Sequence, residues 1–376
     1  MAAADRTRLV VLFGGQSAEH EVSCISALHV LQAADRDRYD IVPIGITREG
    51  RWVESSGALA ALEAGAKALP SPDDSDGAEV EPQAALVPSR PSGSRGTAHV
   101  DSPQVDTVEV ETVVIPLLHG PMGEDGTVQG LLELAGVPYV GAGVLGSALC
   151  MDKGVAKDVL AAHGLPQARW ASGRDVSLDA AFQERVIADL GLPLFVKPAN
   201  LGSSVGVTKA HDAAELADAI ELARRYDEYV IVEESIDGRE IEVAVLGNAD
   251  PRASVPGEVV PSREFYDFDD KYLEGASQVV IPAPLSDQAA DEVRRLAIEV
   301  YKALRVDGMG RVDFFYEEGG RGFLVNELNT IPGFTPISQY PRLWEASGLP
   351  YARLIDELVD LAKQRSARRA RFETKR

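Results

Sequence analysis

The chain has almost no cysteine, no long apolar run and a shortage of positive charge, and each absence removes a class of function. Cys24 and Cys150 are its only cysteines. Two are too few for a disulfide framework or a thiolate zinc site. No apolar run approaches the roughly 20 residues needed to span a bilayer. The opening MAAADRTRLVVLF leads an apolar strand straight into a glycine loop, which is not a signal-peptide pattern. Together these features point to a soluble cytoplasmic protein with no membrane partner. Lys and Arg number 37 against 59 Asp and Glu, for a formal net charge of -22. Such a balance argues against a general grip on a nucleic-acid backbone, so anionic ligands must be met by local positive sites. Two motifs are missing as well. No G-x-x-x-x-G-K-[ST] phosphate loop occurs, and HEVSC is not the H-E-x-x-H zinc motif, because Cys24 holds its last position. No internal repeat is visible.

What is present suits two or three α/β domains in 376 residues. Residues 9–13 form an apolar strand, followed by GGQSAEHEVS and an amphipathic stretch to Leu31. Further strands are expected at 40–46 and 112–118, and a helix at 127–135 ended by Gly136, with VPYVG as the next strand. Residues 70–103, rich in Pro, Ser, Gly, Ala and Asp, read as a long, partly disordered surface insertion. A helix over 147–163 carries MDK, and strands are expected at 192–198, 229–234, 241–247, 255–260 and 277–281. Helical apolar spacing marks 287–304 and 351–363, and the basic end ARRARFETKR reads as a frayed tail.

The densest chemistry lies in residues 310–330, GRVDFFYEEGGRGFLVNELNT, which read as a β-hairpin. Side chains alternate along a strand, so Arg311 and Asp313 share a face, as do Glu327 and Asn329. A turn over 317–322 with pairing centred on Gly320 sets Asp313 opposite Glu327 and Arg311 opposite Asn329. Facing carboxylates repel, so something positive belongs between them. Oxygen donors of this kind suit a hard cation such as Mg²⁺, completed by substrate phosphates. The alternative is an acidic, solvated hairpin.

Other segments gain weight from that company. Gly202, Ser203, Ser204, Val205 and Gly206 follow the strand that ends in Lys197, and they read either as an ordinary turn or as a phosphate cradle. Lys197 closes the apolar run LPLFV and must either snorkel or find an anion. With Lys153 and the hairpin, these residues suit a triphosphate with Mg²⁺. Glu233, Ile236 and Glu240 suit an adenine edge and ribose hydroxyls, or an exposed acidic loop. Glu19 sits where a helix begins, a common place for a dipole partner. His119 follows VVIPLL in a glycine-rich loop, at a strand end of the kind that opens onto ligand crevices. Residues 263–275, REFYDFDDKYLEG, suit a closing lid or a mobile surface loop. In IPGFTPIS the Gly333 amide is available to an oxyanion, beside hydroxyls at Thr335 and Ser338. GAGVLG, residues 141–146, matches the G-x-G-x-x-G fingerprint, but its acidic partner is missing because Asp158 falls inside a helix, so a tight interdomain turn is expected.

Taken in order, GGQSAEHEVS, LHGPMGEDGTVQG, MDK, VKPANLGSSVGV, YDFDDKY, GRVDFF and NELNTIPG closely resemble the D-alanine:D-alanine ligases of the ATP-grasp superfamily. The resemblance implies a three-domain ATP-grasp fold with an N-terminal open α/β (Rossmann-like) domain. Expected bounds are 1–141, 142–233 and 234–365, with 366–376 as tail. It implies a homodimer that takes ATP and D-alanine, and two Mg²⁺ ions, replaceable by Mn²⁺, held by Asp313, Glu327 and Asn329. Lys153, Lys197 and the loop of Gly202, Ser203, Ser204 and Val205 would hold ATP phosphates. Glu233, Glu234, Ile236, Glu240 and Asn326 would complete the nucleotide site. Glu19, Ser203 and Tyr272 would form a hydrogen-bonded set orienting the substrates, with His119, Lys271 and Ser338 binding them. Arg311 and the Gly333 amide would hold the developing oxyanion. The Lys271-Tyr272 pair is similar to that of the dipeptide-forming members, rather than those that use D-lactate or D-serine.

Overall fold

The computed structural model describes residues 6–74, 77–86, 111–202, 204–261 and 278–373, which build three β-sheets. The first contains β1 (Thr7–Gly14), β2 (Tyr39–Ile46), β3 (Trp52–Glu54) and β4 (Thr112–Pro116) in the order β3-β2-β1-β4. β1 runs parallel to both β2 and β4, while β3 closes one edge antiparallel. A central parallel strand is covered on both faces, which explains the unbroken run Leu9–Phe13 with no exposed surface. The pleat then splits that run. Leu9, Val11 and Phe13 join one core with the His20–Ala33 helix, whereas Val10 and Leu12 join another with Val128 and Leu132.

The second sheet is antiparallel, with β5 (Trp170–Arg174), β6 (Leu194–Pro198), β7 (Thr208–Ala210) and β8 (Tyr229–Glu234) in the order β5-β8-β6-β7. Leu194, Val196, Val230 and Val232 pack against the helices Ala180–Leu190 and Ala213–Ala223. Period-two alternation therefore leaves Phe195, Lys197 and Glu233 on the opposite face. The third sheet holds β9 (Arg239–Gly247), β10 (Arg252–Ala253), β11 (Gly257–Val260), β12 (Gln278–Val280), β13 (Gly308–Glu317) and β14 (Gly322–Asn329). Its order is β12-β11-β9-β13-β14, with β10 paired to β9. The Asp287–Ala303 helix backs it, burying Val293, Leu296 and Val300 against Ile241, Val243 and Val312. Here too the alternate residues face away from the helix.

Several expectations change. The helix expected at 147–163 is two, Val144–Met151 and Lys153–Ala162, because Asp152 caps the second by accepting a 2.9 Å bond from the Val155 N–H. VPYVG contributes only a bridge between Val114 and Tyr139. The last helix runs Tyr351–Arg369, past its expected end at 363 and into the first residues of the expected tail, where Arg368 pairs with Asp307 at 2.9 Å. That helix ties the ends of the chain together. Asp356 accepts from the Tyr39 hydroxyl at 2.8 Å, Lys363 reaches Thr7 Oγ1 at 2.7 Å, and buried Arg365 donates to the carbonyls of Tyr139 and Gly141. The insertion is packed in its described first half. Ser71 meets His20 Nε2 at 3.0 Å, Asp73 pairs with Arg48 at 2.8 Å, and Leu86 is buried.

Only the front of GAGVLG is a turn, since Val144, Leu145 and Gly146 open the Val144–Met151 helix, and its glycines allow close packing. Gly141 has φ +93°, and a Cβ on Gly146 would stand 2.9 Å from the Arg305 carbonyl oxygen.

Candidate active site

The free faces of the second and third sheets enclose a cleft of about 590 Å³. From the second sheet come Lys197 and Glu233, and Lys153 enters from the first turn of its helix. The third sheet contributes Glu240, Glu242, Arg311, Asp313 and Glu327. Asn326, Ile236, Glu234, Gly202 and Ser204 also line it.

The hairpin register at the site is the expected one. Arg311 lies opposite Asn329 and Asp313 opposite Glu327. A bulge between Asp313 and Phe314 shifts the ladder, so Phe314 pairs with Val325 and Asn326 is the extra residue. Glu317 consequently pairs with Gly322, and the turn end is not centred on Gly320 as expected. Asp313 also lies opposite Glu242 on β9, so Glu242, Asp313 and Glu327 form a row across three strands. Arg311 relieves it. Its Nε and Nη2 each donate to Asp313 at 2.7 Å, and Nε lies 3.3 Å from Glu242. Burial alone would lower the arginine pKa, but the charges of Asp313 and Glu242 prevail and raise it. Asn329 Nδ2 donates to Asp313 at 2.9 Å, which turns its carbonyl oxygen the other way.

Among the described residues, no three His, Cys, Asp or Glu side chains are gathered so as to hold a metal ion. The local donor set is instead two facing carboxylates and one amide. That set fits a hard cation whose remaining positions are filled by phosphate oxygens and water.

The lysines have definite partners. Lys153 donates to the Leu201 carbonyl at 2.7 Å and lies 3.7 Å from Glu327. Lys197 donates to Glu233 at 2.7 Å, so it is paired and does not snorkel. Glu233 also lies 3.2 Å from Lys157, a lysine with only 2% of its side chain exposed. Burial pushes Glu233 up, but the two lysine charges overcome it and bring its pKa down to about 2. Lys197 is held above its ordinary value despite burial, chiefly by Glu233. Lys157 is pulled below its own by burial.

Glu234 lines the cleft, and its side chain is engaged within the protein. Its carboxylate accepts from Arg169 Nε at 2.9 Å and from Arg321 Nη1 at 2.6 Å, so the side chain fastens the hairpin turn to β8.

The remaining substrate residues gather around two loops. Glu19 precedes the first helix, and its Oε2 lies 3.8 Å from where a Cβ on Gly202 would stand. His119 Nδ1 meets the Ile331 carbonyl at 3.1 Å, and its Nε2 is buried with no hydrogen-bond partner among the described residues. Ser338 Oγ shares a 2.8 Å bond with Thr335 Oγ1, and a Cβ on Gly333 would stand 2.9 Å from that oxygen. Glu124 joins the same region. Its two oxygens accept from the Gly120 N–H at 2.8 Å and the Ile331 N–H at 3.2 Å. Ser203, Lys271, Tyr272 and the rest of the expected lid lie outside the described residues.

Sequence reasoning missed three residues. Lys157 stands one helical turn after Lys153, Glu242 is two positions after Glu240 on one strand face, and Glu124 lies inside the quoted LHGPMGEDG. Spacing offered a signal for the first two.

Two antiparallel sheets, one presenting lysine and the other a carboxylate face, clasp a single cleft in the manner of an ATP-grasp enzyme. The comparisons narrow the class. Residues 8–142 match the D-ala D-ala ligase N-terminus and residues 159–360 the D-ala D-ala ligase C-terminus. The D-alanine--D-alanine ligase of Thermoanaerobacter sp. (strain X514) is 47% identical over 361 residues, covering 95% of this chain and 97% of that protein. The solved D-alanine-D-alanine ligase from Coxiella burnetii superposes with TM-score 0.78 at 36% identity, covering 97% of both chains. The VanG D-Ala:D-Ser ligase from Enterococcus faecalis gives TM-score 0.79 at 36% identity, covering 95% of this chain and 99% of that one. This chain belongs to the D-alanine–D-alanine ligase family.

Proposed function

We infer that the chain is an ATP-dependent D-alanine:D-alanine ligase that forms a peptide bond between two D-alanines, supplying peptidoglycan precursors. The observation that carries this reading is the Asp313, Glu327 and Asn329 face set across one cleft from Lys153 and Lys197, in a chain of this family. In the reaction, the carboxylate of the first D-alanine attacks the γ-phosphorus of ATP, and ADP leaves. The amine of the second D-alanine then attacks the acyl carbon of the resulting phosphate anhydride, loses a proton, and phosphate leaves.

Lys153 and Lys197 meet the phosphates, with the loop of Gly202, Ser203, Ser204 and Val205 over them. Glu233 faces the nucleobase, and Ile236 and Glu240 complete the nucleoside end. Asp313, Glu327 and Asn329 would hold two Mg²⁺ ions, or Mn²⁺, whose chemistry is to neutralise and align the phosphates. Glu19 receives the first ammonium, and Ser203 and Tyr272 fix its orientation. Lys271 and Ser338 take the second carboxylate. Arg311 carries Nη1 outside its fork on Asp313 and, with the Gly333 amide, steadies the tetrahedral oxyanion. His119 lines the first substrate's side. No helix among the described residues is long and apolar enough to cross a membrane. We assign the protein to the cytoplasm as a homodimer, with domains near 1–141, 142–233 and 234–365, the last extended through the final helix.

Mass spectrometry of products from ATP, Mg²⁺ and D-alanine tests the reading, with D-serine and D-lactate as competing second substrates. D-alanyl-D-alanine with ADP and phosphate is expected even in the competition. A mixed product alone would transfer the chain to the D-serine or D-lactate users, and no ADP release would remove the ligase reading. Gel filtration at assay concentration tests the dimer.

A further inference from the structure

Glu233 is held by two lysines that differ in one respect. Lys197 lines the cleft and keeps 13% of its side chain exposed, whereas Lys157 is 2% exposed and lies behind Glu233, away from the cleft wall. An anion entering the cleft can therefore draw Lys197 away from Glu233 but cannot reach Lys157. Glu233 itself is 3% exposed and lines the cleft among the apolar side chains of Phe195 and Ile236, a setting for a planar base. Lys157 is fixed from several sides. Its ammonium lies 5.8 Å above the Trp170 ring, its backbone carbonyl accepts from Gln167 Nε2 at 2.9 Å, and its Nζ stands 3.2 Å from Glu233 Oε1. Charge and hydrogen bonding both tie it to Glu233.

We propose that Lys157 is a positioning residue of the nucleotide site that keeps Glu233 an ionised, acceptor-only carboxylate, and thereby selects a base with an exocyclic 6-amino group over one with a 6-carbonyl. The chemistry follows from hydrogen-bond inventory. An ionised carboxylate only accepts, so it takes a hydrogen bond from the adenine amino group and repels the guanine O6. Once Lys197 turns to phosphate, a buried Glu233 without Lys157 would have no cation beside it and would take up a proton. A protonated carboxyl can donate as well as accept, so it meets either base and the discrimination is lost. The cation behind Glu233 thus decides what its front face recognises. This rests on the reading of the cleft as an ATP site.

The test compares ATP with GTP in wild type, Lys157→Met, Glu233→Gln and the double variant, at saturating D-alanine. In Lys157→Met the ATP preference in kcat/KM is expected to fall at least about tenfold, mainly through a raised KM for ATP. The KM for D-alanine should stay within about twofold, because the substrate end is untouched. In the double variant the preference should match that of Glu233→Gln alone, since Lys157 acts only through that carboxylate. Thermal-shift titration with each nucleotide, without D-alanine, reads the same preference as binding. Should Lys157→Met fail to fold, the comparison of the double variant with Glu233→Gln still decides. An unchanged ATP preference in Lys157→Met, or a further loss in the double variant, would overturn the proposal while wild-type turnover with ATP leaves the ligase reading standing. Absence of wild-type turnover would overturn both.

Discussion

Glu233 and Glu124 are both carboxylates withdrawn from bulk water, yet they are driven in opposite directions. Glu233 faces Lys157 and Lys197, and its pKa falls to about 2 although burial by itself pushes it up. Glu124 has an enclosed carboxyl group, and burial together with the charge of Glu19 raises it to about 8. The N–H groups of Gly120 and Ile331 hold both its oxygens but offset only part of that rise. Neutral donors do not outweigh desolvation plus repulsion, whereas two full positive charges do. The contrast maps onto the two ends of the site. At one end two lysines bracket a carboxylate, and at the other Glu19 and Glu124 repel each other.

The charge of Glu327 is felt at both ends, pushing Lys197, Lys157 and Glu124 upward, although burial still leaves Lys157 below its ordinary value. Glu327→Gln therefore gives the largest expected effect. Turnover should fall by about three orders of magnitude or more, as for loss of a ligand in a phosphoryl-transfer site, while circular dichroism stays unchanged. Near-normal activity in a folded variant would remove the metal assignment. Next in size is the stability contrast. Glu233→Gln leaves two buried ammonium groups without their counter-charge and should cost about 3 kcal/mol in urea unfolding. Near neutral pH Glu124, raised to about 8, is mostly protonated, so Glu124→Gln replaces one neutral group with another and its change there should stay within about 1 kcal/mol. Equal losses in the two variants would break the comparison. A smaller effect is expected at Gly333→Ala, whose new methyl would stand 2.9 Å from Ser338 Oγ. Displacing that hydroxyl should raise the KM for the second D-alanine about tenfold with little change for ATP.

Much of this was legible because the chain signals local order strongly. The strand Tyr229–Glu234 and the helix Thr127–Ala135 have the bounds their apolar pattern and Gly136 cap suggested. The facing of Asp313 and Glu327 was legible for a partly mistaken reason. It was expected from a turn centred on Gly320, but the turn end pairs Glu317 with Gly322, and the bulge at Asn326 restores the register at the carboxylates. A bulge has no periodic signature, because it is stabilised by what packs on both faces of the sheet. Lys157 was missed for a similar reason. An interior lysine is indistinguishable in sequence from a solvated one until its helix is placed against Trp170 and Glu233. The final helix was expected to stop at 363, where its apolar spacing ends, but it runs to Arg369, with Arg365 buried against the Tyr139 ring at 4.1 Å.

The finest test of the opening contrast is the sign of the pH dependence in the ligand-free, metal-free protein. Glu124 is raised from an ordinary 4.5 to about 8, so the native state holds its proton more tightly than the unfolded chain does. Its contribution is complete below pH 4.5 and is lost as pH rises through the native value near 8. Glu233 has the reverse sign, contributing above 4.5 and losing that contribution as pH falls toward 2. Urea midpoints measured from pH 5 to 8.5 in EDTA, wild type against Glu124→Gln, should diverge with the variant gaining as pH rises. The gain is expected to be about 1 to 2 kcal/mol across that window, below the full-shift value because the loop around Glu124 admits some water. A variant that instead loses ground toward pH 8 would mean the Gly120 and Ile331 N–H groups hold an ionised carboxylate after all. In that case hydrogen bonding, and not net charge, would govern this end of the cleft.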